Sequence, residues 1–297
     1  MALFEDLEHT VVGGTFVLFA ALFYFWAVPR YVSRHVGAGK APPLPSGRVP
    51  VAGFGVLDIL GVSVVFGWYG AHWVASGAEG SLPESGRLPL LLLSQFVLQA
   101  MMGGTVLMFL FWRMDLQRAF GLRWRQWPWV LLIAPLSVFV IWSFMGALHM
   151  GGYEEWISNQ LGEDPRQEAV KLLGQSSDAV TIGLMVLVAC VGAPLAEELV
   201  FRGYLYGVLK RFTNIPLAVF LSGLLFGAVH LNLAALPPLF VLGMLLAVLY
   251  EVTGSLWAPV AVHFLFNAGT VAVQILGRFL PEFSEMTGIS EALVRPW

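Results

Sequence analysis

Charge is what this chain has least of. Its 297 residues hold 16 Lys+Arg and 19 Asp+Glu, 12% in all, against roughly 25% in a soluble globular domain. A soluble fold of this length needs a polar skin that so few charges cannot supply. The scarcity excludes an ordinary soluble globule and a disordered chain. A net charge of -3, with no basic stripe, excludes a nucleic-acid binder. Cysteine is nearly absent too. The single Cys190 rules out an internal disulfide framework and any multi-cysteine zinc or iron–sulfur site. Lying in the apolar run Leu187-Val188-Ala189-Cys190-Val191, it reads as an inert buried thiol. No Gly-x-Ser-x-Gly and no His-Glu-x-x-His occurs, which removes the serine-hydrolase elbow and the common helical zinc-protease motif. There is no repeat and no low-complexity tract. What is present is apolar: 58% hydrophobic residues, 13% aromatic and a mean hydropathy of +0.76. The solvent of such a chain is largely lipid.

Runs long enough to span a bilayer, about 20 residues each, number eight: 10–29, 49–75, 88–112, 128–148, 179–211, 215–233, 236–251 and 256–277. The expected fold class is therefore all-α, a polytopic transmembrane helix bundle of about eight spanning helices. The segment before the first run is acidic (Glu5, Asp6, Glu8), unlike a cleavable signal, so that run reads as a retained anchor. Residues 1–178 form an N-terminal four-helix region that includes an external loop, 149–178. Residues 179–275 form a second unit, and 276–297 a tail. Basic residues cluster at Arg30, Arg34, Lys40 and Arg48, at Arg113, Arg118, Arg123 and Arg125, and at Lys210 and Arg211, whereas 149–178 is acidic. One alternating topology fits all of these, with the basic side cytoplasmic and both termini outside. A multi-pass protein of the plasma (inner) membrane is the expectation.

Ionisable residues inside a span are costly and each needs a reason. Between residues 179 and 209 the only charged groups are Glu197, Glu198 and Arg202, in Ala196-Glu-Glu-Leu-Val-Phe-Arg-Gly203. Glu198 and Arg202 are i and i+4 with the acid first, the favourable order for pairing. Glu197 is turned about 100° away and is left without that partner, as suits a general base. Pro194 is positioned to kink the helix and open room for water. Taken alone, the trio also reads as an ion-pair cluster locking two helices.

Two further strings add to it: Phe226-Gly-Ala-Val-His230 and His263-Phe-Leu-Phe-Asn267, the latter placing His263 and Asn267 on one helix face. If the fifth and sixth spans turn near Thr213, Glu197 lies 16 residues before the turn and His230 lies 17 after it. Both are then roughly 24–26 Å deep. His263 and Asn267 count to only about 12–18 Å on a straight helix. A carboxylate and imidazoles around a wet cavity can activate water for attack on a carbonyl. An Asn amide can stabilise the oxyanion that forms. That is peptide-bond hydrolysis. One Glu and two His can also hold a catalytic zinc with an open position, so the cofactor expectation is none, with zinc as the alternative.

The strings Glu197-Glu198…Arg202, Phe226…His230 and His263…Asn267 together resemble the CPBP (CAAX protease and bacteriocin-processing) family of intramembrane endopeptidases, which includes the type II CAAX prenyl proteases. The resemblance covers about residues 179–275. It implies Glu197 as the base that activates water, His230 and His263 around that water and the substrate carbonyl, Asn267 at the oxyanion, and Glu198 with Arg202 in support. It implies a cavity open to the cytosol, a bundle of eight helices, and a glutamate-type mechanism in a family first classed as metalloproteases. The implied partners are the lipid bilayer and a peptide or membrane-protein substrate, lipidated or not. Prenylated CAAX proteins serve one branch of the family, and bacteriocin-like peptides or membrane-protein termini serve others. Asp58, Gln95 and Gln99 are buried polar positions of the first half, read as interhelical hydrogen-bonding residues in preference to a role in substrate specificity. Two other classes remain: a non-catalytic membrane protein that binds or escorts a partner, and a transporter using the acids as a proton relay. Two His and an aligned Asn beside a free Glu disfavour the first, and the lack of a repeat disfavours the second.

Overall fold

The structure is a computed structural model that describes residues 2–36, 45–76, 84–161 and 179–279. Residues 37–44 of the Pro-rich linker, most of the acidic stretch (162–178) and the tail beyond 279 lie outside the described residues. Every regular element among those described is a helix. In chain order these are α1 (2–36), α2 (Leu57–Ser76), α3 (Glu84–Leu110), α4 (Leu116–Ala119), α5 (Val130–Met150), α6 (Tyr153–Leu161), α7 (179–212), α8 (Ile215–Ala228), α9 (Leu236–Thr253) and α10 (Trp257–Phe279). A segment surrounded by lipid must satisfy its own backbone, and the helix does so internally.

Among the described residues six stretches are long and apolar enough to cross a membrane: Leu7–His35, Leu57–Val74, Trp127–Met150, Ile182–Phe212, Leu236–Thr253 and Trp257–Leu276. The apolar stretches Gln95–Leu110 and Ile215–Ala228 are shorter. Outward faces carry exposed Phe25, Leu131 and Phe139, as a lipid-facing surface requires. A continuous buried cluster runs from Val12 on α1 to Phe266 on α10, so the two halves of the chain share one core.

The structure differs from the sequence reading in three places. The run from 49 becomes helical only at Leu57. Pro50, Gly53 and Gly55 precede it, and the Asp58 carboxylate accepts from the Gly55 N–H at 2.7 Å, capping the start. The run 215–233 is helical only to Ala228. Its start is fixed by Asn214, whose side chain accepts from the Leu217 N–H at 2.9 Å, with Pro216 in the first turn. Finally, α1 and α7 contain wide π-type turns, at Ala21–Ala27 and Val32–Val36 and at Val188–Gly192 and Leu199–Tyr206.

Helices α8 and α9 cross with their backbones in contact. A Cβ added to Gly243 would lie 2.8 Å from the Gly223 Cα and 3.0 Å from the Phe226 Cβ. Small residues allow such an approach in a membrane, where packing drives association. Gly243→Ala is expected to cost about 1–3 kcal/mol by overpacking, seen as a lowered apparent melting temperature of the detergent-solubilised protein.

Polar anchors tie the first half to α7. Asp58 is fully buried and takes both Arg113 amines, at 2.9 and 2.8 Å, and the Tyr204 hydroxyl at 3.3 Å. The hydrogen bonds to Asp58 hold the Arg113 guanidinium above its ordinary pKa. At the same end Lys210 donates to Glu251 at 2.8 Å and to the Val49 carbonyl at 3.0 Å, and the Tyr206 hydroxyl donates to Glu251 at 2.7 Å. Asp58 thus has the interhelical role expected of it. Gln95 and Gln99 are only partly buried, and the Gln99 side-chain nitrogen has no hydrogen-bond partner.

Candidate active site

Helix α7 brings the two acids to the centre of the bundle. They end a short α-helical stretch, Ala193–Glu198, between the two π-type turns, and such turns are frequent at functional sites. The preceding turn absorbs Pro194 without a break: Gly192 (φ -62, ψ -54) and Ala193 (φ -61, ψ -52) keep helical dihedrals.

The two acids have different surroundings. Glu198 is fully buried, and its Oε1 accepts from Arg202 Nη1 at 2.8 Å and from His263 Nδ1 at 2.8 Å. Glu197 keeps 14% of its side chain exposed; its Oε2 has no hydrogen-bond partner and stands 3.9 Å from His263 Nε2. Arg202 neutralises Glu198, and Glu197 is the uncompensated carboxylate, the separation expected from their angular offset. Arg202 is itself fully buried, donates its Nη2 to the Gly243 carbonyl at 2.9 Å and lies 4.5 Å over the Phe226 ring. The close crossing of α8 and α9 therefore also supplies an acceptor and an aromatic face to the cation.

Phe226 organises both imidazoles. His230 and His263 pack edge-on against its ring, with centroids 5.1 and 5.6 Å away. His230 Nδ1 is 2.7 Å from the Phe226 carbonyl. A carbonyl can only accept, so Nδ1 carries the hydrogen and Nε2 is left free to act. The same logic applies to His263, whose Nδ1 faces a carboxylate. Both rings thus present Nε2, and His230 lies within electrostatic reach of Glu197, His263 and Arg202.

His230 is not on a helix, contrary to the sequence reading. It sits in the turn after α8, followed by Leu231 at φ 51. A leucine in the left-handed region costs about 1–3 kcal/mol and persists only where the surroundings impose it. The depth difference foreseen for His263 is closed by packing, since it contacts both acids although α10 starts at Trp257. Asn267, one turn further, donates to the Ala189 carbonyl at 2.8 Å, within the first π-type turn of α7. Cys190 is buried and free.

The structure thus joins Glu197, Glu198, Arg202, His230 and His263 in one cluster and places Asn267 against the adjoining turn of α7. Two participants were given no chemical role in the sequence reading. Phe226 stood there only as the motif residue four before His230. Tyr69, buried on α2 with its ring 5.7 Å from that of Phe201 and within electrostatic reach of Glu197 and Arg202, carried no signal at all.

Comparison with known proteins points to the same segment. Residues 179–269 match the family described as type II CAAX prenyl endopeptidase Rce1-like. Over 94 residues the chain is 33% identical to YdiL of Bacillus subtilis (strain 168), named as a candidate membrane peptidase; the match covers 32% of this chain and 38% of YdiL. Over 155 residues it is 24% identical to the membrane-embedded CAAX protease MroQ of Staphylococcus aureus (strain USA300), covering 48% of this chain and 61% of MroQ. The matches thus span less than two thirds of either relative. No solved structure matches the chain. The three motifs gathered at this centre all lie within the segment, 179–269, that is similar to the type II CAAX prenyl endopeptidase Rce1-like family.

Proposed function

We propose that the protein is an intramembrane endopeptidase that hydrolyses a peptide bond of a membrane-associated substrate with water activated by Glu197. The observation that carries this reading is the contrast between the two acids: Glu198 is spent on Arg202 and His263, while Glu197 is partly accessible and uncompensated. Glu197 Oε2 and His263 Nε2 are two acceptors 3.9 Å apart. A water donating one O–H to each at about 2.8 Å has its oxygen lone pairs directed away from both. Glu197 takes one water proton as the oxygen attacks the carbonyl carbon, and the C=O electrons move onto oxygen. One Asn267 N–H is used on Ala189, and the second N–H of that amide serves the oxyanion side, while His230 Nε2, an acceptor, is available to take up a proton. Collapse breaks the C–N bond, and the departing amine takes the proton from Glu197. Water is consumed, and an acid and an amine are released.

A zinc reading has one observation in its favour. Both histidines donate Nδ1–H to an oxygen, the usual outer ring around ligating imidazoles, and the ligands would be Glu197, His230 and His263. Among the described residues, however, no group of three His, Cys, Asp or Glu side chains is disposed to hold a metal ion, and the Arg202 guanidinium adjoins the cluster. The metal-free route is the better supported.

The membrane side follows from the basic residues. Lys210 and Arg211, at the end of α7, support a cytoplasmic position for that end, with both termini outside. Purified protein in detergent is expected to cut a membrane-anchored peptide near its anchor, giving two products whose summed masses exceed that of the substrate by one water. Activity should survive chelators, with no stoichiometric zinc in the active preparation. Failure on anchored peptides with and without a prenyl group counts against the peptidase, and chelator-sensitive cleavage restored by zinc favours the metal route.

A further inference from the structure

The turn that carries His230 is held from outside the catalytic helices. Leu233, three residues on, donates its N–H to Glu8 Oε1 at 2.7 Å and accepts at its carbonyl from the Tyr153 hydroxyl at 3.0 Å. One residue thus has both backbone groups satisfied by side chains, from α1 on one side and α6 on the other. Around these bonds Leu233, Ala234 and Ile157 form a second buried apolar cluster with Leu7, Val11, Tyr153 and Leu236.

The segment between α8 and α9 has little order of its own. Beyond Ala228 it is secured by short-range turn bonds, from the His230 N–H to the Gly227 carbonyl at 3.4 Å and from the Leu231 N–H to the Ala228 carbonyl at 3.1 Å. Asn232 accepts from the Ala235 N–H at 2.8 Å, closing a turn just before α9. Between them Leu231 adopts φ 51, a conformation that a leucine leaves when nothing compels it. Release of Leu233 therefore lets Leu231 relax, and Leu231 is bonded directly to His230. The other constraint on His230, its Nδ1 bond to the Phe226 carbonyl, fixes the ring only while the backbone stays in place.

We infer that Glu8 and Tyr153 form a latch on Leu233 that positions His230 for catalysis, so that the first half of the chain sets the geometry of a site whose acids, imidazoles and amide all come from the second. The inference rests on the reading of His230 as an active-site group. Glu8 and Tyr153 are positioning residues, acting through the backbone of the turn. Burial pushes the Tyr153 hydroxyl up to about 12, so it remains a donor across the working pH range of a peptidase. The latch lies at the opposite end of α8 from the Asn214 cap, and α6 begins at Tyr153, just after α5 ends at Met150.

The test uses the full chain in detergent with Glu8→Ala, Glu8→Gln and Tyr153→Phe, read by two independent measurements. Hydrogen exchange across 229–235 should quicken in Glu8→Ala and Tyr153→Phe, while the α10 segment around His263 stays at its wild-type rate. Cleavage kinetics should show kcat lowered roughly 10–100-fold, as expected for a misplacement of about 1 Å, with KM nearly unchanged. Glu8→Gln keeps an acceptor oxygen and should restore both readouts. Unchanged exchange at 229–235 in both disabling variants overturns the latch. Faster exchange with wild-type kcat overturns the positioning role. Exchange needs no substrate, so a wild-type protein that cleaves nothing sinks the peptidase reading, while the exchange rates still decide whether the latch exists.

Discussion

Glu197→Gln is expected to lower peptide cleavage by at least about 10²–10⁴-fold, the range supplied by a positioned general base, while leaving the fold intact. The amide keeps the shape of the side chain and one acceptor oxygen but cannot take a proton from water. Glu197 Oε2 has no hydrogen-bond partner to lose, and removing an uncompensated carboxylate relieves its desolvation, so the melting temperature should hold or rise. Glu197→Ala should be equally inactive. The measurement pairs kcat with thermal unfolding for each variant. Cleavage by Glu197→Gln at the wild-type rate would remove the base assignment. A loss of activity matched by a loss of folded protein would show Glu197 to be structural.

The sequence carried the pairing of the two acids because a helix has a fixed pitch. Glu198 and Arg202 are one turn apart with the acid first, and the pair forms at 2.8 Å with both side chains fully buried; Glu197, one position earlier, falls outside it. The depth count to Glu197 and His230 worked for a related reason, since the hairpin turn at Thr213 and Asn214 anchors both counts. The same count placed His263 too shallow, because residue number along one helix says nothing about how that helix leans on its neighbours. It also treated His230 as helical, whereas α8 stops at Ala228. No local breaker marks that end: the stretch Phe226-Gly-Ala-Val-His-Leu is apolar and carries no proline, and the turn is imposed by Leu233 contacts from residues 225 and 80 positions away. The wide turns around Glu197 and Glu198 were hidden too, since an extra residue per turn leaves no compositional mark. Tertiary contacts set these features, and a single sequence without partners does not display them.

The buried pair offers the sharpest division between support and chemistry. Arg202→Met leaves Glu198 charged and fully buried with only His263 Nδ1 against it, and should destabilise by about 3–5 kcal/mol. Glu198→Leu leaves Arg202 with the Gly243 carbonyl and the Phe226 face but no directly bonded counter-charge, Glu197 acting only through space, and should cost a similar amount. The double variant Glu198→Leu/Arg202→Met removes both charges together. Apolar replacement of a complete buried pair is often neutral or stabilising, so its melting temperature should return close to wild type. Its activity should not return. Glu198 Oε1 also orients His263, and without that acceptor the imidazole loses the bond that fixes its tautomer and directs Nε2 toward Glu197. A stable double variant with kcat still reduced about 10²-fold is the expected result, in line with the loss of an orienting partner. Recovery of stability and activity together would mean that Glu198 and Arg202 only hold helices in place, and that His263 needs no carboxylate behind it.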